Sequence, residues 1–371
     1  MPLNITSLKD WDNNNNNLKI CIGIDIGGSG IRIRIVNFNN PNQTLDIGHM
    51  KAQTKNEALS IFSNIENEIL KVDQNFQCLG ASLAVAGPID DDKCILTNWI
   101  GDAETRTISI KELPKRMFPE NKTILLNDLE AGAYGIIAIS KTGELEDKFE
   151  QLFIENSPKG DIISNHRSAV LAMGSGFGVA LIFKNKFTDK HQAIPTELGH
   201  LPISLSGQNN PYYNEEFELI QYVSEQCYDG KLTPEYEDIC SGKGLCLAYK
   251  YFIEKETGNE FSSEIDAAEV ALKAKKGDRV ARDALFWHYK MFIRAAKEIT
   301  TTLTCDSCIM ALDNQVKNGW FINQVEDELK DEFYCFGRPD WQANIRCYSQ
   351  KEKLNFNIYG AIYIANQIAL I

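Results

Sequence analysis

The chain has 371 residues, of which 43% are hydrophobic, 24% charged and 10% aromatic. These proportions exclude a mainly disordered, collagenous or coiled-coil chain, and at ~150 residues per domain the length allows about two domains. Lys plus Arg number 38 against 51 Asp plus Glu, a formal charge of -13, which excludes broad binding to phosphate backbones or anionic lipid and leaves room for one local basic site.

The predicted elements run as follows. Residues 1–17 end in the run Asn13 to Asn17, which buries no apolar area and reads as a floppy tail. Ile20 to Ile26 is an apolar strand, and Gly27-Gly28-Ser29-Gly30 turns the chain. Ile31, Ile33 and Ile35 alternate with Arg32 and Arg34 in a second strand. Asn56 to Val72 carries Leu59, Phe62 and Ile65 at helical spacing. Leu79 to Ala86 is a buried strand stopped by Gly87-Pro88, and Thr123 to Leu126 a strand stopped by Asn127-Asp128. Leu129 to Ile139 reads as a helix. The theme then repeats. Ser168 to Met173 and Val179 to Phe183 are strands around the turn Gly174 to Gly178. Residues 264–302 are mostly helical with a break at Gly277-Asp278, and Ile358 to Ile371 is a closing helix. Strands alternate with helices, so the class is α/β. Two glycine hairpins, one in each half, suggest two related halves around a cleft.

No stretch reaches the ~18 apolar residues of a membrane span. Met1 to Asp12 lacks an apolar signal core. A cytoplasmic protein is expected, its ten cysteines being reduced thiols. Cys305 and Cys308 form a CxxC with no second pair at zinc spacing, and Cys335 and Cys347 qualify only by count, so no metal is assigned to them.

Four motifs carry chemistry. Glycines in Asp25-Ile26-Gly27-Gly28-Ser29-Gly30 let main-chain N–H groups approach an anion. Ser29 adds a hydroxyl, and Asp25 could hold magnesium through water. Gly174-Ser175-Gly176-Phe177-Gly178 is a second such turn. Each alone reads more readily as a plain hairpin; together they could grip a phosphate chain. Asp128 of Asn127-Asp128 stands at a strand's carboxyl end, where α/β folds bind ligands, and could accept the proton of an attacking hydroxyl. Helix capping is the competing reading. Glu197-Leu198-Gly199-His200, with Glu237 before Ser241-Gly242-Lys243-Gly244, could hold a polyol; a salt-bridged surface loop is the alternative.

Taken in order, these segments resemble bacterial-type glucokinases, in the superfamily of actin-like, ribonuclease H-like sugar kinases. Ile24-Asp25-Ile26-Gly27-Gly28-Ser29 is similar to that family's Gly-Asp-Ile-Gly-Gly-Thr. Ala84-Val85-Ala86-Gly87-Pro88-Ile89, then Leu96-Thr97-Asn98-Trp99, resemble its Ala-Gly-Pro and Thr-Asn-Trp segments. Leu126-Asn127-Asp128-Leu129-Glu130-Ala131 resembles Asn-Asp-Phe-Glu-Ala, and Gly174-Ser175-Gly176-Phe177-Gly178 resembles Gly-Thr-Gly-Leu-Gly. Glu197 to His200 is similar to Glu-Gly-Gly-His, and Glu237 to Leu245 to Glu-Arg-Val-Leu-Ser-Gly-x-Gly-Leu. Serine replaces threonine in both phosphate loops and keeps the hydroxyl.

The resemblance implies a two-lobed actin-like fold with a central cleft. A small domain would span residues 18–127, completed by helix 355–371, and a large one residues 128–354. It implies ATP-dependent phosphorylation of D-glucose at the 6-hydroxyl, with Asp128 as general base. Asn98, Asn127, Glu197, His200 and Glu237 would hold the sugar. Asp25, Gly27, Gly28, Ser29, Gly174, Ser175 and Gly176 would hold ATP with Mg2+. Homodimers are common in the family, so a homodimer is expected. The family's Gly-Gly-Ile-x-Pro near the adenosine is replaced here within Ile309 to Asn318. Two rivals stay open: a kinase for another hexose or hexosamine, and a non-catalytic sugar sensor. About seventeen mostly polar residues before the first strand are too few for a helix-turn-helix.

Overall fold

The computed structural model describes residues 5–11, 17–28, 30–154 and 160–371. The chain divides into two compact units, Met1–Glu144 with Asn355–Ile371, and Leu145–Leu354. Among the described residues no helix is long and apolar enough to cross a membrane.

The first unit is built on a five-stranded sheet. Its middle strand, Lys19–Gly27, pairs antiparallel with Gly30–Asn37 and parallel with Gln77–Val85. Asn40–Met50 adds an antiparallel edge, and Thr123–Asn127 a parallel one. Isoleucines at 20, 22, 24 and 26 face Ile31, Ile33 and Ile35 in one buried cluster. Helix Lys55–Val72 covers this face with Ala58, Phe62, Ile65 and Ile69, and Thr54 caps it by accepting from the Glu57 N–H. Both parallel neighbours end on the same edge, which places Asn127 and Asp128 at a strand's carboxyl end.

Two expectations are corrected in this unit. The tail is not uniformly floppy: Thr6–Asp10 is a short 3-10 helix, and Ile5, Leu8 and Trp11 are buried in the core. Those three side chains supply the apolar area that the asparagine run lacks; Asn13 to Asn16 lie outside the described residues. The boundary falls after Glu144 rather than after Asn127. Helix Asp128–Ser140 stays in the first unit because it packs on helix Phe356–Ala369, with backbone against backbone. A Cβ on Gly135 would stand 2.0 Å from the Phe356 carbonyl oxygen, and one on Gly360 only 1.7 Å from that of Ala131.

The second unit repeats the plan. Arg167–Met173 pairs antiparallel with Phe177–Asn185 and parallel with Ser307–Ala311. Lys190–Thr196, Arg346–Gln350 and Phe149–Leu152 complete a six-stranded sheet. The predicted break at Gly277-Asp278 separates helices Ala267–Lys275 and Arg279–Thr302. Gly277 takes a left-handed φ of 95°, and Asp278 caps the second helix through the Ala281 N–H. Arg294, buried on that long helix, bonds Glu216 at 2.5 Å and Glu332 at 2.8 Å. Burial alone would raise Glu332, but Arg294, Lys297 and Lys290 outweigh it and hold its carboxyl at about 2. Glu216 in turn accepts from the Ser206 N–H and hydroxyl, which ties down the loop after His200.

The helix seating gives a direct test. Gly360→Ala forces the two helices apart and should cost at least about 1–3 kcal/mol, read as a lower unfolding midpoint. An unchanged midpoint would contradict this packing.

Candidate active site

The first glycine turn closes the hairpin where Gly27 pairs with Gly30. Ser29 lies outside the described residues. Asp25, on the strand leading in, is buried. Its Oδ2 accepts from Asn355 Nδ2 at 2.7 Å and Arg32 Nη1 at 3.2 Å, and its Oδ1 accepts a long 3.4 Å bond from Asn357. Asn98 is exposed and stands over the turn, its Cβ 2.7 Å from where a Gly28 Cβ would be. The next residue, Trp99, donates its indole N–H to the Gly27 carbonyl. Asn98 is thereby placed on the first phosphate-loop candidate.

Asn127 and Asp128 occupy the start of helix Asp128–Ser140. Asn127 Oδ1 accepts from the N–H groups of Leu129 and Glu130, at 2.9 and 3.4 Å. Asn127 is therefore the cap, and only its amide nitrogen is left to donate to a ligand. Asp128 is half-buried, and its Oδ1 accepts from the Leu129 N–H. A negative charge there is favoured by the helix N-terminus. Nearby Cys94 is pushed up to about 12 by burial and, secondarily, by the Asp128 charge.

In the second unit, Phe177 joins the other motifs. Its N–H donates to Glu237 Oε2 at 2.8 Å. Its carbonyl oxygen lies against Gly199, where a Cβ would come to 1.9 Å. The glycine of Glu197-Leu198-Gly199-His200 is thus required by the second turn. That turn is closed by Gly174 N–H to the Gly176 carbonyl and fastened by Gly242 N–H to the Gly174 carbonyl, both 2.8 Å. Gly242 opens helix Gly242–Thr257, capped by Ser241. Ser175 lines the cavity beside these residues.

His200 stands between carboxylates. Nδ1 is 2.6 Å from Glu235 Oε2, and Nε2 is 3.6 Å from Glu197. The Glu235 hydrogen bond, opposed by partial burial, raises the imidazole above its ordinary value, with Glu237 and Glu197 adding to it. Glu197 keeps 83% of its side chain exposed, open to a ligand. Glu235 escaped the sequence reading. Its one signal was Asp238 three residues on, which accepts from the Glu235 N–H at the start of helix Tyr236–Cys240.

A cavity of about 730 Å³ opens beside Gly174, Ser175 and Gly242. Helix Asp313–Gln324 forms part of its wall, so the stretch that lacks the glycine pair faces it. Asn314 Nδ2 donates to the Met173 carbonyl at 2.9 Å, bonding the strand that feeds the second turn. Leu312, just before the helix, adopts φ 92° and ψ 160°, a region that glycine alone occupies without strain.

The family model named Glucokinase matches residues 22–310. The chain belongs to the glucokinase family. Glucokinase 1 of Trichomonas vaginalis is 49% identical over 366 residues, covering 98% of this chain and 97% of that protein. A probable glucokinase 2 from the same organism is 48% identical over 367 residues, with the same coverage of each. The glucokinase of Balamuthia mandrillaris, solved in complex with glucose, superposes with a TM-score of 0.87 at 31% identity, covering 97% of this chain and 98% of that one. The fold is the two-lobed actin-like one of the sugar kinases. The reaction is ATP-dependent phosphorylation of glucose.

Two outcomes follow from this geometry. Leu312→Gly relieves a backbone penalty of about 1–3 kcal/mol and gives up a partly exposed side chain, so the melting midpoint should not fall; a drop of several degrees would contradict the strain. Glu235→Gln should lower the His200 pKa, followed by NMR titration of the ring. Because Glu235 raises it in the folded protein, the stabilisation that this pair gives is present at low pH and is lost as pH rises through the His200 value. The variant should lack that loss.

Proposed function

We propose that Asp128 is the general base for transfer to the glucose 6-hydroxyl. Its carboxylate takes the hydroxyl proton as the oxygen bonds to the γ-phosphorus; the bond from that phosphorus to the β–γ bridging oxygen breaks, and ADP leaves. The observation that carries this reading is the start of helix Asp128–Ser140. Asn127 already caps it with two bonds, so Asp128 is an acidic acceptor beyond what capping needs.

The sugar roles follow from the chemistry left at each side chain. Asn127 has its amide nitrogen to donate. Glu197, largely exposed, accepts from hydroxyls. His200 is held by Glu235 through Nδ1, which leaves Nε2 to face a hydroxyl. Glu237 spends one oxygen on the Phe177 N–H and keeps the other for the ligand. Asn98 is the weaker sugar candidate, since it packs on the first glycine turn. The glycine turns, Gly27–Gly28 with Ser29 and Gly174–Gly176, would hold the phosphates through backbone N–H groups, in the second turn those other than Gly174, whose N–H closes the turn.

Magnesium fits this donor set. It takes few protein carboxylates and keeps its waters, and Asp25 offers one buried carboxylate on the strand leading into the first glycine turn. Asp25 Oδ1, with one long bond among the described residues, would hold the ion through water. The ion would supply charge neutralisation on the transferring phosphate.

The test is Asp128→Asn, which keeps the Leu129 contact. Turnover should fall by about 10²–10⁴-fold, with glucose binding by calorimetry retained. Near-normal turnover would remove Asp128 from the role.

A further inference from the structure

We infer that His288, in the floor of the cavity beside the second glycine turn, selects the phosphate donor by accepting a hydrogen bond from one of its ribose hydroxyls. The inference rests on the reading that this turn holds the phosphates of ATP. His288 sits on helix Arg279–Thr302, is only 3% exposed, and lines the cavity with Gly242 and Leu245. Its Nδ1 lies 2.7 Å from the Ile239 carbonyl oxygen. A carbonyl oxygen only accepts, so Nδ1 carries the proton. Burial, opposed by that bond, pushes the imidazole down to about 4, which keeps the ring neutral. Nε2 is then a bare acceptor, and among the described residues it has no hydrogen-bond partner.

Such an atom disfavours a phosphate oxygen, which is also an acceptor, and favours a hydroxyl or amino donor. The chain path indicates which. Ile239, which fixes the ring, stands three residues before Gly242, and Gly242 is bonded directly to the turn residue Gly174. The ribose follows the phosphates in a nucleotide, so its hydroxyls come next after the turn. The base would lie farther along, among Leu272, Lys275 and Trp320.

The experiment compares ATP, 2′-deoxy-ATP, 3′-deoxy-ATP and inosine triphosphate as donors for the wild type and His288→Asn. Asparagine can still donate to Ile239 from the Nδ1 position, so the fold-supporting bond is kept while the second ring nitrogen, the proposed acceptor, is removed. The wild type should lose about tenfold in kcat/KM with one deoxy analogue. His288→Asn should lose a similar factor with ATP, through the KM for ATP, and no longer discriminate against that analogue; its KM for glucose should not change. Equal use of ATP and both deoxy analogues by the wild type would overturn the inference. So would discrimination against inosine triphosphate alone, or an equal loss with every donor in the variant. Ala271→Trp, which fills the cavity from its wall, separates the two levels. If ATP use survives that filling, the nucleotide reading of the cavity fails. If it is lost while His288→Asn behaves as wild type, only the ribose contact fails.

Discussion

One backbone position holds the second unit's three candidate motifs together. Phe177 follows the second glycine turn, and both of its peptide groups are committed. Its N–H goes to Glu237 and its carbonyl oxygen lies against Gly199, while its ring meets Phe292 edge-on in the core. The turn, the Glu197–His200 segment and the Glu237 segment therefore cannot shift independently. A change at any of the three is felt as a lost, partly buried bond or a steric clash. The arrangement also ties Glu237 to the turn: one of its oxygens accepts from the Phe177 N–H.

The first unit reaches a comparable rigidity by another route. Asp25 is bonded by Asn355, Asn357 and Arg32, two of which lie at the start of the C-terminal helix. That helix is seated against glycines of strands and helix alike; a Cβ on Gly80 would stand 2.1 Å from the Ala365 carbonyl oxygen. The strand bearing the first glycine turn and the helix bearing Asp128 are thus both keyed to Phe356–Ala369. The same strand plan recurs in the two units, three antiparallel strands joined to two parallel ones, with Phe149–Leu152 added antiparallel at the edge of the second, but the carboxylates bonded at the two turns differ in partner: side chains around Asp25, a main-chain N–H at Glu237.

Much of this was legible from residue order. Alternating isoleucines and near-continuous apolar runs marked the central strands, because both patterns follow from which faces are buried. Glycine pairs marked the turns, and Asn127-Asp128 after an apolar strand marked the helix start. The unread parts depend on partners far away in sequence. Asn40–Met50 is a mostly exposed edge strand whose apolar alternation is confined to Leu45 and Ile47. Ile5, Leu8 and Trp11 looked like tail because their burial is supplied by the core above them. Glu235 and His288 gained meaning only from His200, 35 positions away, and from Ile239, 49 positions away. The domain boundary was misplaced because the affinity of helix Asp128–Ser140 for the chain's last helix cannot be read from either segment alone.

The stretch that departs from the family's glycine pair shows how such a substitution is carried. Leu312 holds a backbone conformation costing about 1–3 kcal/mol for a side-chain-bearing residue. Three bonds fix it there. Its N–H donates to Gln350 Oε1 at 2.8 Å, its carbonyl accepts from the Gln315 N–H at 3.0 Å, and Asn314 reaches the Met173 carbonyl. At about 0.5–1.5 kcal/mol each, together they match the strain. The leucine then lies over the glycine turn, with Cδ1 3.3 Å from where a Gly174 Cβ would stand. What the family's glycines provide by conformational freedom, this chain provides by over-determining the turn from three sides, and the strand-to-helix corner beside the cavity keeps its course without them.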